Sequence, residues 1–201
     1  MAELRFYYGT MASGKSTMAL QIHHNLREAG RHGLLCTQLS RMDAAVSSRL
    51  GVAEPAIEVV DDLDLSMMAQ QVIEEHGSLH YLVCDEAQFY SEAQIGQLGE
   101  IVDHLECDVY AFGLLTDFRG RLFGGSARLM ELADQRHGLQ VEARCWCGRP
   151  ATMNARLIDG KQVYDGDVVM VGDTAVSAPS AVSYELLCRK HWMEGSTPSP
   201  V

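Results

Sequence analysis

The stretch GTMASGKST at residues 9–17 restricts the fold more than any other part of the chain. Gly9, four further residues, Gly14, Lys15 and Ser16 complete the pattern of a phosphate-binding loop. The order has a physical basis. Gly9 and Gly14 can take backbone angles that a side chain forbids, so successive N–H groups can turn inward around an anion. Lys15 brings a positive charge to the outer phosphates, and the Ser16 hydroxyl suits a Mg²⁺ ion. The flanks agree with this. LRFYY (4–8) is a short apolar, aromatic run that predicts a strand. Residues 16–30 predict a helix, with Met18, Ile22, Leu26 and Ala29 on one face and Gly30 as the stop. Strand, glycine loop and helix N-terminus in that order make an anion site.

The rest of the first 140 residues alternates. HGLLCTQ (32–38) predicts a second strand, and 40–60, with Ser47, Ser48, Arg49 and Gly51, a loop of weak structure. Helices are expected at 64–77, at 91–105 with Ser91 as N-cap, and at 126–134. LHYLVCDEAQF (79–89) reads as an apolar strand ending in acids, and DVYAFGLL (108–115) as a buried strand. This alternation predicts an α/β fold with a mostly parallel sheet covered on both faces. Beyond residue 140 the texture changes. LQVEARCW, PATMNARLI, KQVYDGDVVMV and SYELLC are short strand-like runs parted by Gly and Asp turns. The expected division is a nucleotide-binding domain at 1–140, a small β-rich appendage at 141–193, and a polar, disordered tail at 194–201.

Composition narrows the function classes. The net charge of −11 argues against a general nucleic-acid binder, because a phosphate backbone requires a basic surface. No apolar run approaches the roughly twenty residues of a membrane span. The first residues lead into a strand without the charged-then-apolar pattern of a signal. A cytoplasmic protein with neither nucleic acid nor membrane as partner is expected. The hydrophobic fraction of 47% suffices for a proper core.

Three features carry the remaining chemistry. Asp85 and Glu86 end a buried strand, where a second acid meets the nucleotide in folds built on this loop. Asp85 suits Mg²⁺, directly or through water. Glu86 can take a proton from an attacking hydroxyl or from water, so the pair marks nucleotide chemistry without naming the acceptor. Of the six cysteines, Cys36, Cys84 and Cys107 read as buried core thiols. Cys145, Cys147, Cys188 and His191 suit a closed, structural Zn²⁺ site, although the first pair has one intervening residue where two are usual; free surface thiols are the alternative. The loop GLLTDFRGRLFGGSARL (113–129) holds Phe118 and Phe123, which can stack on a base, and arginines that can meet a phosphoryl group. Taken alone it remains ambiguous. His23–His24 reads as a solvated helix face and Met67–Met68 as helix packing.

Taken in order, GTMASGKST, CDEAQF, TDFRG within 113–129, CWCG and CRKH resemble the thymidine kinases shared by many bacteria and animal cytosol, from about residue 4 to 192. The resemblance implies a RecA-like domain carrying the phosphate loop and a small zinc-containing lasso domain. It implies transfer of the γ-phosphate of ATP to the 5′-hydroxyl of thymidine, with deoxyuridine as a second acceptor. It also implies a homotetramer with dTTP as feedback inhibitor. By position, Gly9, Thr10, Met11, Ala12, Ser13, Gly14, Lys15 and Ser16 bind ATP, with Asp85, Glu86, Ala87 and Gln88 as a second nucleotide-contacting segment. Glu86 matches the general base. Phe118 matches the aromatic at the thymine ring, and Met11 an apolar contact near sugar and base. Val168, Val169, Met170, Val171, Gly172 and Tyr184 match the segment that holds thymidine. Cys145, Cys147, Cys188 and His191 match the zinc ligands. Leu122, Asp173 and the long stretch 173–183 depart from the family pattern.

Overall fold

The computed structural model describes residues 1–38, 45–48, 51–168 and 182–198. A six-stranded sheet orders its strands β5 (Ile57–Glu58), β2 (Gly33–Thr37), β6 (Tyr81–Cys84), β7 (Asp108–Leu114), β1 (Leu4–Gly9) and β8 (Gln135–Gly138). Every pairing within it is parallel. Parallel neighbours need crossovers, and helices supply them. These are α1 (Lys15–Glu28), α2 (Leu65–His76), α3 (Glu92–Leu105) and α4 (Gly124–Leu132).

The side-chain alternation of the strands sorts the core into two layers. On one face Ala19 and Leu20 of α1 meet Leu35, Tyr81, Val83 and Phe112. On the other, Leu65 and Ala69 of α2, Leu98 and Ile101 of α3 and Leu129 of α4 cover Phe6, Leu82, Cys84, Val109 and Ala111. All four residues of β6 are therefore buried, as a strand covered on both sides requires. Cys36, Cys84 and Cys107 are core thiols with no exposure. The register sets Gly9 beside Leu114 and Cys84 beside Ala111. The C-terminal ends of β1, β6 and β7 thus lie side by side, and the loops leaving them share one edge of the sheet.

A second sheet, β10 (Lys161–Val163), β9 (Met153–Ile158) and β11 (Val182–Leu187), is antiparallel, and α5 (Arg189–Glu194) follows it.

Several expectations are corrected. The apolar run 79–89 is a strand only to Cys84. Glu86 turns left-handed at φ 53° and Ala87–Phe89 forms a 3₁₀ turn. LQVEARCW is not a strand: Glu142 and Gly148 at φ 46° and 82° make turns there. The weak loop at 40–60 contains an antiparallel pair, β3 (Ala45–Ser47) with β4 (Ala53–Pro55), besides β5. Strand β8 was hidden by its polar sequence QRHG, which an edge position tolerates. His23 is not solvated. It is 8% exposed and its ring nitrogen lies 3.1 Å from the Tyr81 hydroxyl. Met67 is exposed at 68%, and only Met68 packs. Gly195 and Ser196, in the segment expected to be disordered, bond back to α5 through their amides.

Candidate active site

The loop between β1 and α1 is shaped by what cannot fit. A Cβ at Gly9 would stand 2.4 Å from Ser13 Oγ and 2.7 Å from the Leu139 carbonyl. Gly14 sits at φ 83°, a left-handed conformation open to glycine, and starts α1. Ala12 is also left-handed, at φ 57°. No acidic residue occupies the first turn of α1, so the positive end of that helix faces the loop uncompensated. Lys15 is 8% exposed and its Nζ donates to the Thr10 carbonyl at 2.7 Å. Ser13 Oγ is fully buried with no hydrogen-bond partner among the described residues. An orphaned hydroxyl in a glycine loop at a helix N-terminus suits a phosphate oxygen.

Asp85, at the end of β6, is 3% exposed. Its Oδ1 accepts from the Glu86 amide at 3.0 Å. Burial first, then the neighbouring Glu86 charge, lift its carboxyl to about 6; a hydrogen bond with the Ser16 side chain and the Lys15 charge oppose the rise. Ser16 and Asp85 thus lie near enough to influence each other, and together they suit a Mg²⁺ ion. The Glu86 carboxylate accepts from Gln88 Nε2 at 2.5 Å. Gln88 is buried, and its Oε1 accepts from the Leu114 amide at 3.0 Å. Gly113 makes room for this, because a Cβ there would lie 2.9 Å from Gln88 Oε1. Gln88 thus ties the half-buried Glu86 to β7.

The loop after β7 forms a second cluster. Asp117, 4% exposed, accepts from the Arg119 amide, the Arg121 amide and the Arg119 guanidinium. That ties up Arg119. Phe118 is 3% exposed, and the Arg156 guanidinium lies over its ring at 3.8 Å. Arg156 Nε donates to the Tyr184 hydroxyl at 2.9 Å, Nη1 to the Asp167 carbonyl at 2.6 Å and Nη2 to the Val168 carbonyl at 3.1 Å. Asn154 joins this cluster to the phosphate loop. Its Oδ1 accepts from the Met11 amide at 2.9 Å and its Nδ2 donates to the Thr116 carbonyl at 3.4 Å.

Cys145, Cys147, Cys188 and His191 place their ligand atoms within 4.8 Å of one another. Cys147 Sγ is 3.9 Å from Cys188 Sγ, and His191 Nδ1 is 3.6 Å from Cys188 Sγ and 3.2 Å from Cys145 Sγ. A tetrahedron with Zn–S near 2.3 Å has edges of roughly 3.5–4 Å, so the set could hold zinc. The C-x-C spacing works because Gly148, at φ 82°, closes a turn in which its amide donates to the Cys145 carbonyl at 2.8 Å. Trp192 of α5 reaches from this cluster to the loop after β7, its Nε1 donating to the Phe118 carbonyl at 3.2 Å.

The family model described as thymidine kinase matches residues 2–192. This chain belongs to the thymidine kinase family. It is 49% identical over 198 residues to a thymidine kinase of Cutibacterium acnes, covering 98% of this chain and 91% of that one. It is 50% identical over 192 residues to one of Streptomyces coelicolor, covering 95% and 88%. The thymidine kinase of Enterobacteria phage T4 is 38% identical over 198 residues, 96% of this chain and 97% of its own. Among solved structures, the Pif1 helicase of Candida albicans aligns at a TM-score of 0.42 and 16% identity over 69% of this chain and 36% of that one, too loosely to bear on fold or function.

Among the residues singled out in the sequence, the structure brings Ser16 and Lys15 to Asp85, and Phe118, Val168 and Tyr184 to Arg156. Val169, Met170, Val171 and Gly172 lie outside the described residues. The sequence reading missed Asn154, Arg156 and Trp192. Arg156 had a signal: a cation inside the apolar run MNARLI, on the same strand face as Asn154.

Proposed function

We propose that this thymidine kinase family member transfers the γ-phosphoryl group of ATP to the 5′-hydroxyl of thymidine, giving dTMP for nucleotide salvage, and that deoxyuridine is a second acceptor. The carrying observation is the shared sheet edge. A phosphate loop with its acid pair stands beside a separate aromatic cluster, and Asn154 joins the two. Residues 9–16 hold the ATP phosphates, with Asp85 to Gln88 alongside. Ser16 and Asp85 hold Mg²⁺, which supplies positive charge at the phosphates. Glu86 takes the proton of the 5′-hydroxyl as the phosphoryl group moves in line. Its partner Gln88 holds the carboxylate in place, so most of the rate comes from positioning and charge neutralisation. Phe118, Met11, Val168 and Tyr184 belong to the thymidine side.

The reading extends to a phosphate-loop domain at 1–140 and a zinc-held lasso domain at 141–193. It includes a homotetramer, dTTP as feedback inhibitor and a cytoplasmic location. No helix among the described residues is long and apolar enough to cross a membrane, which agrees with that location without deciding it.

The deciding experiment supplies ATP labelled at the γ-phosphate to a panel of nucleosides, with and without Mg²⁺. Mg²⁺-dependent label on thymidine, and none on cytidine or purine nucleosides, is the expected result. ATP consumed without a labelled nucleoside would make Glu86 a base for water and end the kinase reading.

A further inference from the structure

β9 carries two buried polar side chains on one face, Asn154 at 4% exposure and Arg156 at 1%. A buried guanidinium is costly unless its N–H groups find acceptors, and an apolar side chain would fill the same volume with less penalty. Arg156 therefore calls for a reason beyond packing. Its partners come from three separate parts of the chain. Phe118 lies after β7, the Asp167 and Val168 carbonyls lie after β10, and the Tyr184 hydroxyl belongs to β11. The grip on two successive carbonyls uses the planar fork of arginine, which a lysine ammonium cannot reproduce. The contact to the ring at 3.8 Å sets the Phe118 plane by attraction between a cation and a π face.

We propose that Arg156 is a positioning residue for the acceptor nucleoside. It locks Phe118, Tyr184 and the backbone at 167–168 into one unit, so that each stands in a fixed relation to the phosphate loop, to which Asn154 ties the same strand. The inference rests on the kinase reading above. Arg156 does not meet the reacting atoms. It acts through the groups that it holds.

The test is steady-state kinetics of Arg156→Lys and Tyr184→Phe, alone and combined, with zinc content and ATP binding measured on each. Arg156→Lys should raise the thymidine KM by about 10–100-fold, the loss expected when hydrogen bonds from a charged group are broken. ATP affinity and zinc per chain should stay at the wild-type level, and kcat should fall less than KM rises. Tyr184→Phe removes the hydroxyl bonded to Nε and should raise the thymidine KM less. The double variant should be no worse than Arg156→Lys, because one contact cannot be lost twice. An Arg156→Lys protein with reduced stability and an unchanged thymidine KM would overturn the inference while leaving the kinase reading intact. If that variant fails to fold, Tyr184→Phe with an unchanged thymidine KM overturns it equally. Wild-type protein that labels no nucleoside would sink both together.

Discussion

Glu86 and Asp85 are neighbours with different environments, and the roles proposed for them make different predictions. Glu86 keeps a half-buried carboxylate held by Gln88, so exchanging it for glutamine should retain the shape and remove the proton acceptor. Glu86→Gln is expected to lower kcat by about 10²–10⁴-fold with little change in either KM. A near-normal kcat would remove Glu86 from the role of base. Asp85 makes a prediction about pH. Its carboxyl sits at about 6 against an ordinary 3.8, chiefly because it is buried. The folded chain thus binds that proton more tightly than the unfolded chain. Stability from this group is full below the ordinary value and lost as pH rises through about 6. Without nucleotide or Mg²⁺, Asp85→Asn is therefore expected to raise the folding stability at neutral pH by an amount of order 2–3 kcal/mol. The gain should shrink as the pH falls toward 4, and calorimetry across that range checks it. Turnover should be lost in the same variant, since Ser16 would be left without its carboxylate partner. Both acids were legible from the sequence because they end an apolar run. So was the division of labour expected of them; the burial that shifts Asp85 was not, because neighbouring strands supply it.

Helices of this fold serve two ends, and two substitutions separate them. Ser91 caps α3: its Oγ accepts from the Gln94 amide at 3.2 Å, and the Gln94 side chain returns a bond to the Ser91 amide. Ser91→Ala is expected to lower stability by about 1 kcal/mol and leave the kinetic constants alone. Gly125 of α4 does something else. A Cβ there would stand 2.6 Å from the Ala87 carbonyl, 2.7 Å from that of Tyr90 and 2.9 Å from that of Gln88. Backbone atoms cannot step aside as a side chain can, so Gly125→Ala must push α4 away from the turn that carries Glu86. A loss of about 1–3 kcal/mol should accompany a fall in kcat. Unchanged kcat in this variant would mean that the turn tolerates displacement. The cap could be seen in the sequence, because it depends on residues three apart. The glycine's role could not, because its neighbours are more than thirty positions away.

At the scale of the molecule, the Cys145–Cys147–Cys188–His191 cluster and the loop that carries Phe118 are mechanically joined. Trp192 follows His191 directly, and a Cβ at Gly120 would lie 2.9 Å from its ring. The Trp192 indole also donates to the Phe118 carbonyl. Cys145→Ser is expected to reduce zinc to well below one per chain and to raise the thymidine KM, while ATP binding is retained. Metal analysis and binding measurements with each substrate check both halves. Wild-type zinc in that variant would mean that the ligand set is wrong, and an unchanged thymidine KM would mean that the Trp192 contact transmits nothing.

The sequence by itself determined the local parts. A glycine loop between strand and helix, an acid pair after an apolar run and a capping serine each depend on residues close along the chain, so propensity and spacing suffice. The tertiary structure decided how those parts meet. Parallel pairing of β1, β6 and β7 brought three distant loops to one edge. That pairing depends on which apolar faces bury each other, and local spacing does not carry it. The same holds for Arg156. In sequence it is a lone cation in an apolar strand, and only the folded chain surrounds it with a ring, a hydroxyl and two carbonyls as partners for its buried charge.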